Sequence, residues 1–390
     1  MRALCWLGAD GLAVRQVPDP ELRNSADAIV RVRRSATCGA DLPLLAGRAA
    51  ALSVGDVLGH EFLGDVVEVG PGVRRHRIGD RVVVCAAVAC GNCWYCRQGL
   101  FACCDNGSTG PAAAEAAWGQ PTGGCYGQPR SAGGFAGSHA EYVRVPYADV
   151  GAFPVPEPVD DDRAVFASDA VPAGWLAAEL GEVSPGDVVA VWGAGAVGQM
   201  AAQAALLRGA DRVVVIDRYP QRLSLAQRHL GAETLDYLSV DVPAELRERS
   251  GGRGPDVCVE AVGMAWDGVE PRSLAERFAA AWPGAAPDRP IAVREAVHAC
   301  RKGGTVVVLG TFTGFVDTFP LGAVMQKGLT VRAARQHGQR WIPMLLDRMA
   351  RGEIHTGHLA THHLPLEQGA LGYDLFRTRA DGCLRTVFTP

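Results

Sequence analysis

Short apolar runs separated by turn residues occupy the first part of the chain. They are rich in valine and isoleucine, and Gly, Pro and Asp stand between them, which is typical of β-strands. The runs lie at residues 14–17, 28–32, 63–69, 81–85 and 141–145. We expect these strands, as far as about residue 158, to form a distorted barrel.

A different pattern begins at residue 188. The run VVAVW at 188–192 predicts a buried parallel strand, and the turn GAGAVG follows it at 193–198. A helical pattern at 199–208 and an apolar run at 213–216 come next, and that run is followed by Asp217. A glycine-rich turn alone occurs in any α/β protein, but this full series predicts a dinucleotide-binding unit.

The residues of this turn have separate physical roles in that interpretation. Gly193 permits the tight turn, Gly195 lets the backbone approach a pyrophosphate, and Gly198 lets the helix pack closely on the strand. Asp217 would bind the 2′-hydroxyl of a ribose and repel a 2′-phosphate. The unit therefore favours NAD over NADP.

Strands and helices continue to alternate after this unit, with strands predicted at 257–261, 305–309 and 329–333 and a helix at 294–300. A right-handed, doubly wound parallel sheet is the economical arrangement. From about residue 341 we expect the chain to return to the first domain, with a helix at 342–351, an extended run at 362–366 and a final strand at 383–388.

The predicted fold class is therefore α/β. We expect a β-rich domain at 1–160, a nucleotide-binding domain at 161–339 and a returning segment at 340–390. Two long segments, 106–137 and 264–290, interrupt this plan and are predicted to be irregular. Loops of this length are often lids or binding loops, and the alternative is surface decoration.

The composition is that of an ordinary soluble protein. The chain has 390 residues, of which 48% are hydrophobic and 21% charged, and its net charge is -4. We therefore expect neither a nucleic acid nor a membrane as a partner. No apolar run reaches about 18 residues and no signal peptide is recognised, which predicts a cytoplasmic protein. Its twelve cysteines would then be reduced or bound to metal.

The strongest motif is a loop that contains Cys90, Cys93, Cys96 and Cys104. Four closely spaced thiolates can close a tetrahedron around Zn²⁺, as a structural site requires. Two disulfides are the alternative, but they fit a cytosolic chain poorly. Cys103 could compete as a ligand, although the spacing favours Cys104. The loop therefore predicts a structural zinc site.

A second signal is dispersed along the chain. Cys38 stands in the stretch ATCGAD, and His60 and Glu61 stand in LGHE. Taken singly, such a cysteine is more often a small core residue and such a histidine a hydrogen-bonded one. Together with the four-cysteine loop and the dinucleotide unit, they resemble the zinc-dependent medium-chain alcohol dehydrogenase family, in particular its formaldehyde-dehydrogenase-like branch. The matching stretches are 38–41, 59–61, 69–73, 90–104, 140–146, 168–169, 193–198, 261–263 and 381–385.

This resemblance implies a fold and a set of ligands. The first domain would be GroES-like and the second a Rossmann domain. Cys38, His60 and Asp169 would hold a catalytic zinc, with aspartate where other branches have cysteine, and Glu61 would be a carboxylate that can approach the metal. One thiolate, one imidazole and one carboxylate leave a fourth position open for an alcohol or carbonyl oxygen.

The resemblance also implies NAD as cofactor and a homodimer or homotetramer built through the nucleotide-binding domain. Arg385 would contact the pyrophosphate, and the segment 264–290 would cover the adenine side. The residues expected to bind the cofactor are Gly193, Gly195, Ala196, Val197, Gly198, Asp217, Arg218, Arg222, Val262, Gly310 and Arg385. Arg218 and Arg222 keep the preference for NAD moderate.

One departure from the family bears on mechanism. The family has a hydroxyl residue two positions after the cysteine ligand, and often a histidine five after it, which form a proton relay. Here those positions are Ala40 and Pro43, which cannot carry a proton. General acid–base help is commonly worth about 10²–10⁴ in rate. Protons would have to travel by water or through Glu61, or the substrate would bring a hydroxyl, or the reaction would need no net proton exchange with solvent.

Three functions follow from these alternatives. The first is a zinc- and NAD-dependent oxidoreductase acting on an alcohol or aldehyde in a specialised bacterial pathway. The second is a redox-neutral or non-redox zinc enzyme of the same fold, such as a lyase, isomerase, epimerase or dismutase, that retains NAD. The third is a non-catalytic binding protein that keeps the fold.

Overall fold

The chain forms two compact units. The computed structural model describes residues 1–8, 11–45, 52–264, 291–312, 316 and 319–390. The first unit comprises Met1–Pro172 and Gln336–Pro390, and the second comprises Ala173–Arg335. Among these described residues, no helix combines the length and the apolar character that a membrane span needs.

The strands include every one that the apolar runs predict, with ends shifted by a few residues. In chain order they are β1 (Arg2–Gly8), β2 (Gly11–Gln16), β3 (Ala28–Ala36), β4 (Glu61–Val69), β5 (Arg81–Val84), β6 (Ala87–Val88), β7 (Gly124–Cys125), β8 (Tyr142–Val145), β9 (Ala152–Pro154), β10 (Val188–Trp192), β11 (Arg212–Asp217), β12 (Glu233–Asp236), β13 (Val257–Glu260), β14 (Thr305–Val308), β15 (Thr330–Ala333), β16 (His362–Pro365) and β17 (Thr386–Thr389).

The α-helices are Asp41–Leu45, Trp94–Arg97, Pro111–Trp118, Ala148–Gly151, Asp161–Ala164, Ala170–Leu180, Ala196–Leu207, Pro220–Leu230, Val242–Arg249, Ile291–Ala299, Leu321–Lys327, Ile342–Ala350 and Gly369–Thr378. Short 3₁₀ helices lie at Phe101–Cys103, Arg130–Ala132, Val165–Ser168, Gly338–Arg340, Gly357–Leu359, Leu366–Gln368 and Ala380–Gly382.

The first unit contains a seven-stranded sheet in the order β16-β17-β3-β4-β5-β9, with β8 also paired to β3. Alternate side chains such as Val30, Phe62 and Val82 pack into one buried core. β3 and β4 are antiparallel, and Ala36 lies opposite Glu61. The end of β3 and the start of β4 therefore lie side by side in the sheet.

The second unit is a six-stranded parallel sheet in the order β12-β11-β10-β13-β14-β15. This arrangement confirms the predicted doubly wound fold. The strand order reverses between β10 and β13, so the carboxyl ends of these two strands form the topological switch point where such sheets bind ligands. The glycine turn follows β10 directly.

The unit boundaries differ from the predicted domain boundaries. Residues 161–172 belong to the first unit, and two of them, Asp161 and Asp162, pair with arginines of β3. At the other end, Gln336 Nε2 donates to Ser168 O at 3.4 Å and Gln339 Nε2 donates to Ala87 O at 2.5 Å. These contacts place the chain back in the first unit from residue 336 onward, rather than from 340.

The segment 106–137 is not wholly irregular, contrary to the prediction. It contains the helix Pro111–Trp118, which begins with proline at its first turn and ends at Gly119 in a left-handed conformation. Its glycine and proline content therefore marks helix ends as well as loops. Of the predicted irregular segment 264–290, all but Met264 lies outside the described residues.

Candidate functional site

Cys38, His60, Glu61 and Asp169 lie together in the first unit, and we call them the dispersed cluster. Each offers one ligand atom, and these atoms all lie within 4.8 Å of one another. Cys38 Sγ is 3.9 Å and His60 Nε2 is 3.7 Å from Asp169 Oδ2. A tetrahedral zinc with ordinary bond lengths separates its donors by roughly 3.3–3.8 Å, so the donor set fits this ion.

The sheet explains why residues so distant in sequence meet. Cys38 follows the end of β3, and Glu61 begins β4. The two strands are neighbours, and Ala36 at the end of β3 pairs with Glu61. Asp169 follows the 3₁₀ helix Val165–Ser168. The other three members of the cluster are buried, whereas the Asp169 side chain is 17% exposed. Solvent therefore reaches the cluster at Asp169.

Charge in the dispersed cluster is concentrated and buried. Burial raises the pKa of Glu61 to about 7, although Arg385 acts in the opposite direction. The Arg385 guanidinium is itself buried, and its Nη2 lies 3.0 Å from Glu61 Oε1. Desolvation acts to lower the pKa of His60, but Cys38 and Asp41 outweigh it and raise that pKa. Three acidic groups and an imidazole share this space, and a cation bound among them would stabilise the anionic forms that burial disfavours.

Asp41 is a functional candidate for which the sequence assigned no role. Its Oδ1 lies 3.2 Å from His60 Nδ1, and its Oδ2 accepts a hydrogen bond from Cys38 N at 2.9 Å. One carboxylate thus contacts two of the predicted ligands, as outer-shell groups of metal sites commonly do. The signal was its position three residues after Cys38, inside the matched stretch 38–41.

The two positions that depart from the family lie beside this cluster. Ala40 is in the turn after Cys38, and Pro43 is buried in the helix Asp41–Leu45. A methyl group and a pyrrolidine ring offer neither a proton donor nor an acceptor. The structure therefore contains no hydroxyl or imidazole at these two places.

Cys90, Cys93, Cys96 and Cys104 form a second group, the four-cysteine cluster, whose sulfur atoms all lie within 4.8 Å of one another. Cys93 Sγ and Cys104 Sγ are 3.9 Å apart, close to the roughly 3.8 Å between thiolates on a tetrahedral zinc. As the spacing favoured, Cys104 rather than Cys103 belongs to this group. All twelve cysteines are free of disulfides.

Hydrogen-bond donors surround the sulfur atoms of the four-cysteine cluster. Cys104 Sγ accepts from Cys90 N at 3.2 Å and from Asn106 N at 3.3 Å, and Cys90 Sγ accepts from Asn106 Nδ2 at 3.4 Å. Burial acts to raise the pKa of Cys90, but hydrogen bonds from the Asn106 side chain and from the backbone of Asn92 and Cys93 lower it to about 7. The loop thus stabilises a thiolate, which is the form that binds metal.

In the second unit, the glycine turn has the geometry that the sequence predicts. Gly193 has φ +102°, and a side chain there would meet Ala261 O at 2.9 Å. A side chain at Gly198 would collide with Gly193 O, because the helix packs directly on the turn. At Gly195 it would meet no atom of the described residues within 4 Å. Ala196 and Val197 begin the helix, so open space lies at the helix N-terminus, where a pyrophosphate would bind.

Asp217 is fixed beside this turn. Its Oδ2 accepts from Ala194 N at 2.7 Å and its Oδ1 accepts from Arg218 N at 2.6 Å. The guanidinium groups of Arg218 and Arg222 lie over the ring of Tyr219, at 4.9 Å and 5.2 Å from its centre. The acid therefore lies where an adenosine ribose is expected, with two cations close by.

Glu260 is a second residue that sequence reasoning missed. It is buried at the end of β13, and its carboxylate accepts from Val262 N at 2.8 Å, Gly263 N at 2.6 Å and Gly310 N at 3.2 Å. Burial raises the pKa of Glu260 even though these three donors act against it. One carboxylate thus joins the turns that carry two predicted cofactor residues, Val262 and Gly310.

Arg385, predicted to bind the cofactor, lies in the first unit. Besides its contact with Glu61, its Nη1 donates to Thr37 O. The structure therefore brings Arg385 together with the dispersed cluster. Its predicted contact with a pyrophosphate stays a prediction.

Comparison with known proteins gives matches along the chain. Residues 24–157 match the alcohol dehydrogenase GroES-like domain, and residues 196–267 match the zinc-binding dehydrogenase domain. An uncharacterized zinc-type alcohol dehydrogenase-like protein of Bacillus subtilis (strain 168) is 32% identical over 392 residues, covering 100% of both chains. A glutathione-independent formaldehyde dehydrogenase of Pseudomonas aeruginosa (strain LESB58) is 37% identical over 277 residues, which cover 67% of this chain and 65% of that protein.

Solved structures agree with these matches. An alcohol dehydrogenase from Thermus sp. ATN1 superposes with a TM-score of 0.82 at 32% identity, covering 100% of this chain and 99% of the other. A structure described as an NAD-dependent alcohol dehydrogenase gives a TM-score of 0.79 at 25% identity and covers 100% of both chains. The predicted GroES-like and Rossmann domains are therefore confirmed.

Proposed function

The chain belongs to the zinc-type alcohol dehydrogenase family, and from this premise we propose that it transfers a hydride between NAD and an alcohol or aldehyde. The observation that carries the proposal is the convergence of Cys38, His60, Glu61 and Asp169 within 4.8 Å. These residues come from three separate parts of the chain, yet they supply a donor set suited to catalytic zinc. The glycine turn and Asp217 supply the dinucleotide site that the same reaction needs.

The residues of the chain divide the work in this proposal. Bound zinc would supply Lewis acidity toward the substrate oxygen. Asp41 contacts His60 Nδ1 and so directs Nε2 toward Asp169. Arg385 compensates the charge of buried Glu61. Asp169 stands at the solvent-accessible side, which is where a substrate would enter.

The test is a direct assay on the purified protein. We expect about two zinc ions per chain by elemental analysis, one for each cluster, because structural and catalytic sites both bind this metal. We also expect the absorbance of reduced nicotinamide to rise with NAD⁺ and at least one member of a broad alcohol panel, or to fall with NADH and an aldehyde. Silence across both panels would contradict the oxidoreductase proposal.

Ala40 and Pro43 favour a second candidate, a redox-neutral or non-redox zinc enzyme such as a lyase, isomerase, epimerase or dismutase. A reaction without net proton exchange needs no relay to solvent at these positions. Copurified NAD that is retained, with product formed and no NADH accumulating in the medium, would identify this candidate.

NAD rather than NADP is the proposed cofactor. Asp217 holds a fixed carboxylate beside the turn, and a second negative charge on the ribose would be repelled. We expect NADH to bind at least about tenfold more tightly than NADPH, measured by nicotinamide fluorescence, because like charges in close contact commonly cost a kcal/mol or more. Asp217→Ser should reduce the ratio, since Arg218 and Arg222 remain.

We also propose that the chain forms a homodimer or homotetramer through the second unit. β15 lies at the edge of the parallel sheet and, among the described strands, pairs with β14 alone. Leu321 and Met325 are 67% and 70% exposed, and Val331 of β15 is 38% exposed. A second copy of this edge would satisfy the backbone groups and cover the apolar side chains. Light scattering should give a dimer or tetramer, and Val331→Glu should lower that mass.

A further inference from the structure

A chain of buried hydrogen bonds extends from the dispersed cluster into the first unit. Tyr373 Oη bonds Asp41 Oδ2 at 2.8 Å, and His139 Nε2 bonds Tyr373 Oη at 2.9 Å. Ser35 Oγ lies 2.8 Å from both His139 Nδ1 and Ser138 Oγ. All five side chains are buried. We call this series the buried polar chain.

The chemistry of these groups fixes the direction of each hydrogen. An ionised carboxylate can only accept hydrogen bonds, so Asp41 Oδ2 accepts from Tyr373 as well as from Cys38 N. The single hydroxyl hydrogen of Tyr373 is then used. Tyr373 Oη must therefore accept from His139 Nε2–H. Burial lowers the pKa of His139 to about 4, which keeps one ring nitrogen without hydrogen. That nitrogen is Nδ1, and it accepts from Ser35.

The end of the buried polar chain determines how His60 faces the cluster. Asp41 Oδ1 is 3.2 Å from His60 Nδ1, so the hydrogen of His60 belongs on Nδ1. On binding zinc, His60 would supply the lone pair of Nε2, which faces Asp169 Oδ2 at 3.7 Å in the structure. The same Asp41 carboxylate accepts from Cys38 N. Its position therefore affects two of the predicted metal ligands.

His139 also contacts the backbone before His60. Gly59 has φ +95°, and a side chain there would lie 2.6 Å from His139 Nδ1 and 2.7 Å from its neighbouring ring carbons. The imidazole ring therefore packs directly on Gly59. It supports His60 from two sides, through this backbone contact and through Tyr373 and Asp41.

We propose that Tyr373 and His139 are positioning residues that hold Asp41, fix the hydrogen of His60 on Nδ1 and so set the affinity of the dispersed cluster for zinc. The inference rests on the proposed function for the identity of the metal. It goes beyond that function by assigning a role to residues that lie outside the dispersed cluster and are not among its candidate ligands.

The first test is Tyr373→Phe, which keeps the ring and removes only the hydroxyl. Outer-shell changes of this kind typically weaken metal binding by about 10–100-fold. We expect the zinc of the dispersed cluster to be released to a chelator at a correspondingly lower concentration, while zinc in the four-cysteine cluster is retained. In the cobalt-substituted protein, the visible absorption of the site with one sulfur ligand should shift.

The matched control is Tyr126→Phe, because Tyr126 is also buried in the first unit and lies outside the buried polar chain. It should leave both zinc affinities and the cobalt spectrum unchanged. Ser35 lies two hydrogen bonds further from Asp41 than Tyr373 does. Ser35→Ala should therefore weaken zinc binding at the dispersed cluster by only about two- to threefold, below the usual outer-shell range. A graded loss from Tyr373 to Ser35 separates positioning from general packing.

The outcomes distinguish this inference from the function on which it rests. If the wild-type chain binds two zinc ions and Tyr373→Phe matches Tyr126→Phe in zinc affinity and cobalt spectrum, the inference is wrong and the proposed function stands. If the wild-type chain binds zinc only at the four cysteines, the proposed function fails and the inference fails with it. Selective loss from the dispersed cluster supports both.

Discussion

The two clusters in the first unit have the same number of candidate ligands and opposite constructions. The four-cysteine cluster lies within one loop, and only 14 residues separate Cys90 from Cys104. In the dispersed cluster, Cys38 and Asp169 are 131 residues apart. The first cluster is held by hydrogen bonds from its own loop, whereas the second depends on side chains from distant parts of the unit.

This difference predicts different consequences of losing a metal. The apolar cluster around the four-cysteine loop consists mainly of the cysteines themselves with Ala89, Phe101 and Tyr147, so a bound ion would hold the local fold together. The dispersed cluster lies at the ends of β3 and β4, in a sheet with an extensive apolar core. Its ion would serve chemistry, and the fold would persist without it.

The largest effect expected is on activity, from Cys38→Ala. Removing one thiolate ligand should empty the dispersed cluster and reduce turnover by at least about 10⁴-fold, since Lewis-acid stabilisation is worth several kcal/mol. The midpoint of thermal unfolding should change by only a few degrees. Elemental analysis should show one zinc lost per chain. Full activity in a variant that has lost this zinc would contradict the assignment of the two clusters.

Cys104→Ser should produce the converse result. It leaves a buried hydroxyl where a thiolate ligand stood, and we expect a loss of about 4 kcal/mol in the free energy of unfolding, as is usual when a structural metal is lost. Urea titration measures this loss. The dispersed cluster should still bind zinc in the fraction that remains folded. A stable, one-zinc variant with unchanged unfolding would remove the distinction between the clusters.

The same contrast explains what the sequence could predict. The four cysteines and the glycine turn are contiguous, so spacing alone pointed to their chemistry. Cys38, His60 and Asp169 needed the family resemblance, because their proximity arises from strand pairing. Tyr373 lies 332 residues from Asp41, and no local pattern indicates that the two hydrogen-bond.

One strand that the sequence did not predict and one shifted boundary have a similar physical origin. The strand Glu233–Asp236 is polar and lies at the sheet edge, so it lacks the apolar run by which strands were recognised. The stretch before Pro172 belongs to the first unit, and its ion pairs from Asp161 and Asp162 to β3 are long-range contacts. Hydrophobic periodicity carries no information about either feature.

Acid should affect the two clusters' surroundings differently because His139 is buried near only one of them. Its pKa is about 4 in the folded chain, below the ordinary value of 6.5, because burial disfavours the charged ring; Asp41 and His60 act on it in opposite directions. The unfolded chain therefore takes up this proton first. The contribution of neutral His139 to the free energy of unfolding is complete above pH 6.5. It is lost as the pH falls from 6.5 toward 4, and the total loss is about 3 kcal/mol.

Urea unfolding of the wild type and of His139→Gln between pH 7 and 4.5 measures this contribution. The wild type should lose more stability across the interval than the variant, even if the variant is less stable at pH 7. Two parallel pH profiles would show that His139 does not titrate as its burial requires.

A smaller effect than those of the preceding substitutions is expected from Asn106→Ala, which tests whether the four-cysteine cluster depends on its own loop. The substitution removes the Nδ2 donor to Cys90 Sγ and keeps the backbone donor to Cys104 Sγ. One hydrogen bond to a charged sulfur is worth about 1 kcal/mol in such a partly exposed site, so zinc affinity should fall by about fivefold. Chelator competition at the four-cysteine cluster measures it. Because several backbone donors share the support there, the loss should be smaller than that of Tyr373→Phe at the dispersed cluster, where one hydroxyl holds the carboxylate that contacts two ligands. An equal or larger loss from Asn106→Ala would mean that both clusters depend on single side chains, and the contrast between local and long-range support would disappear.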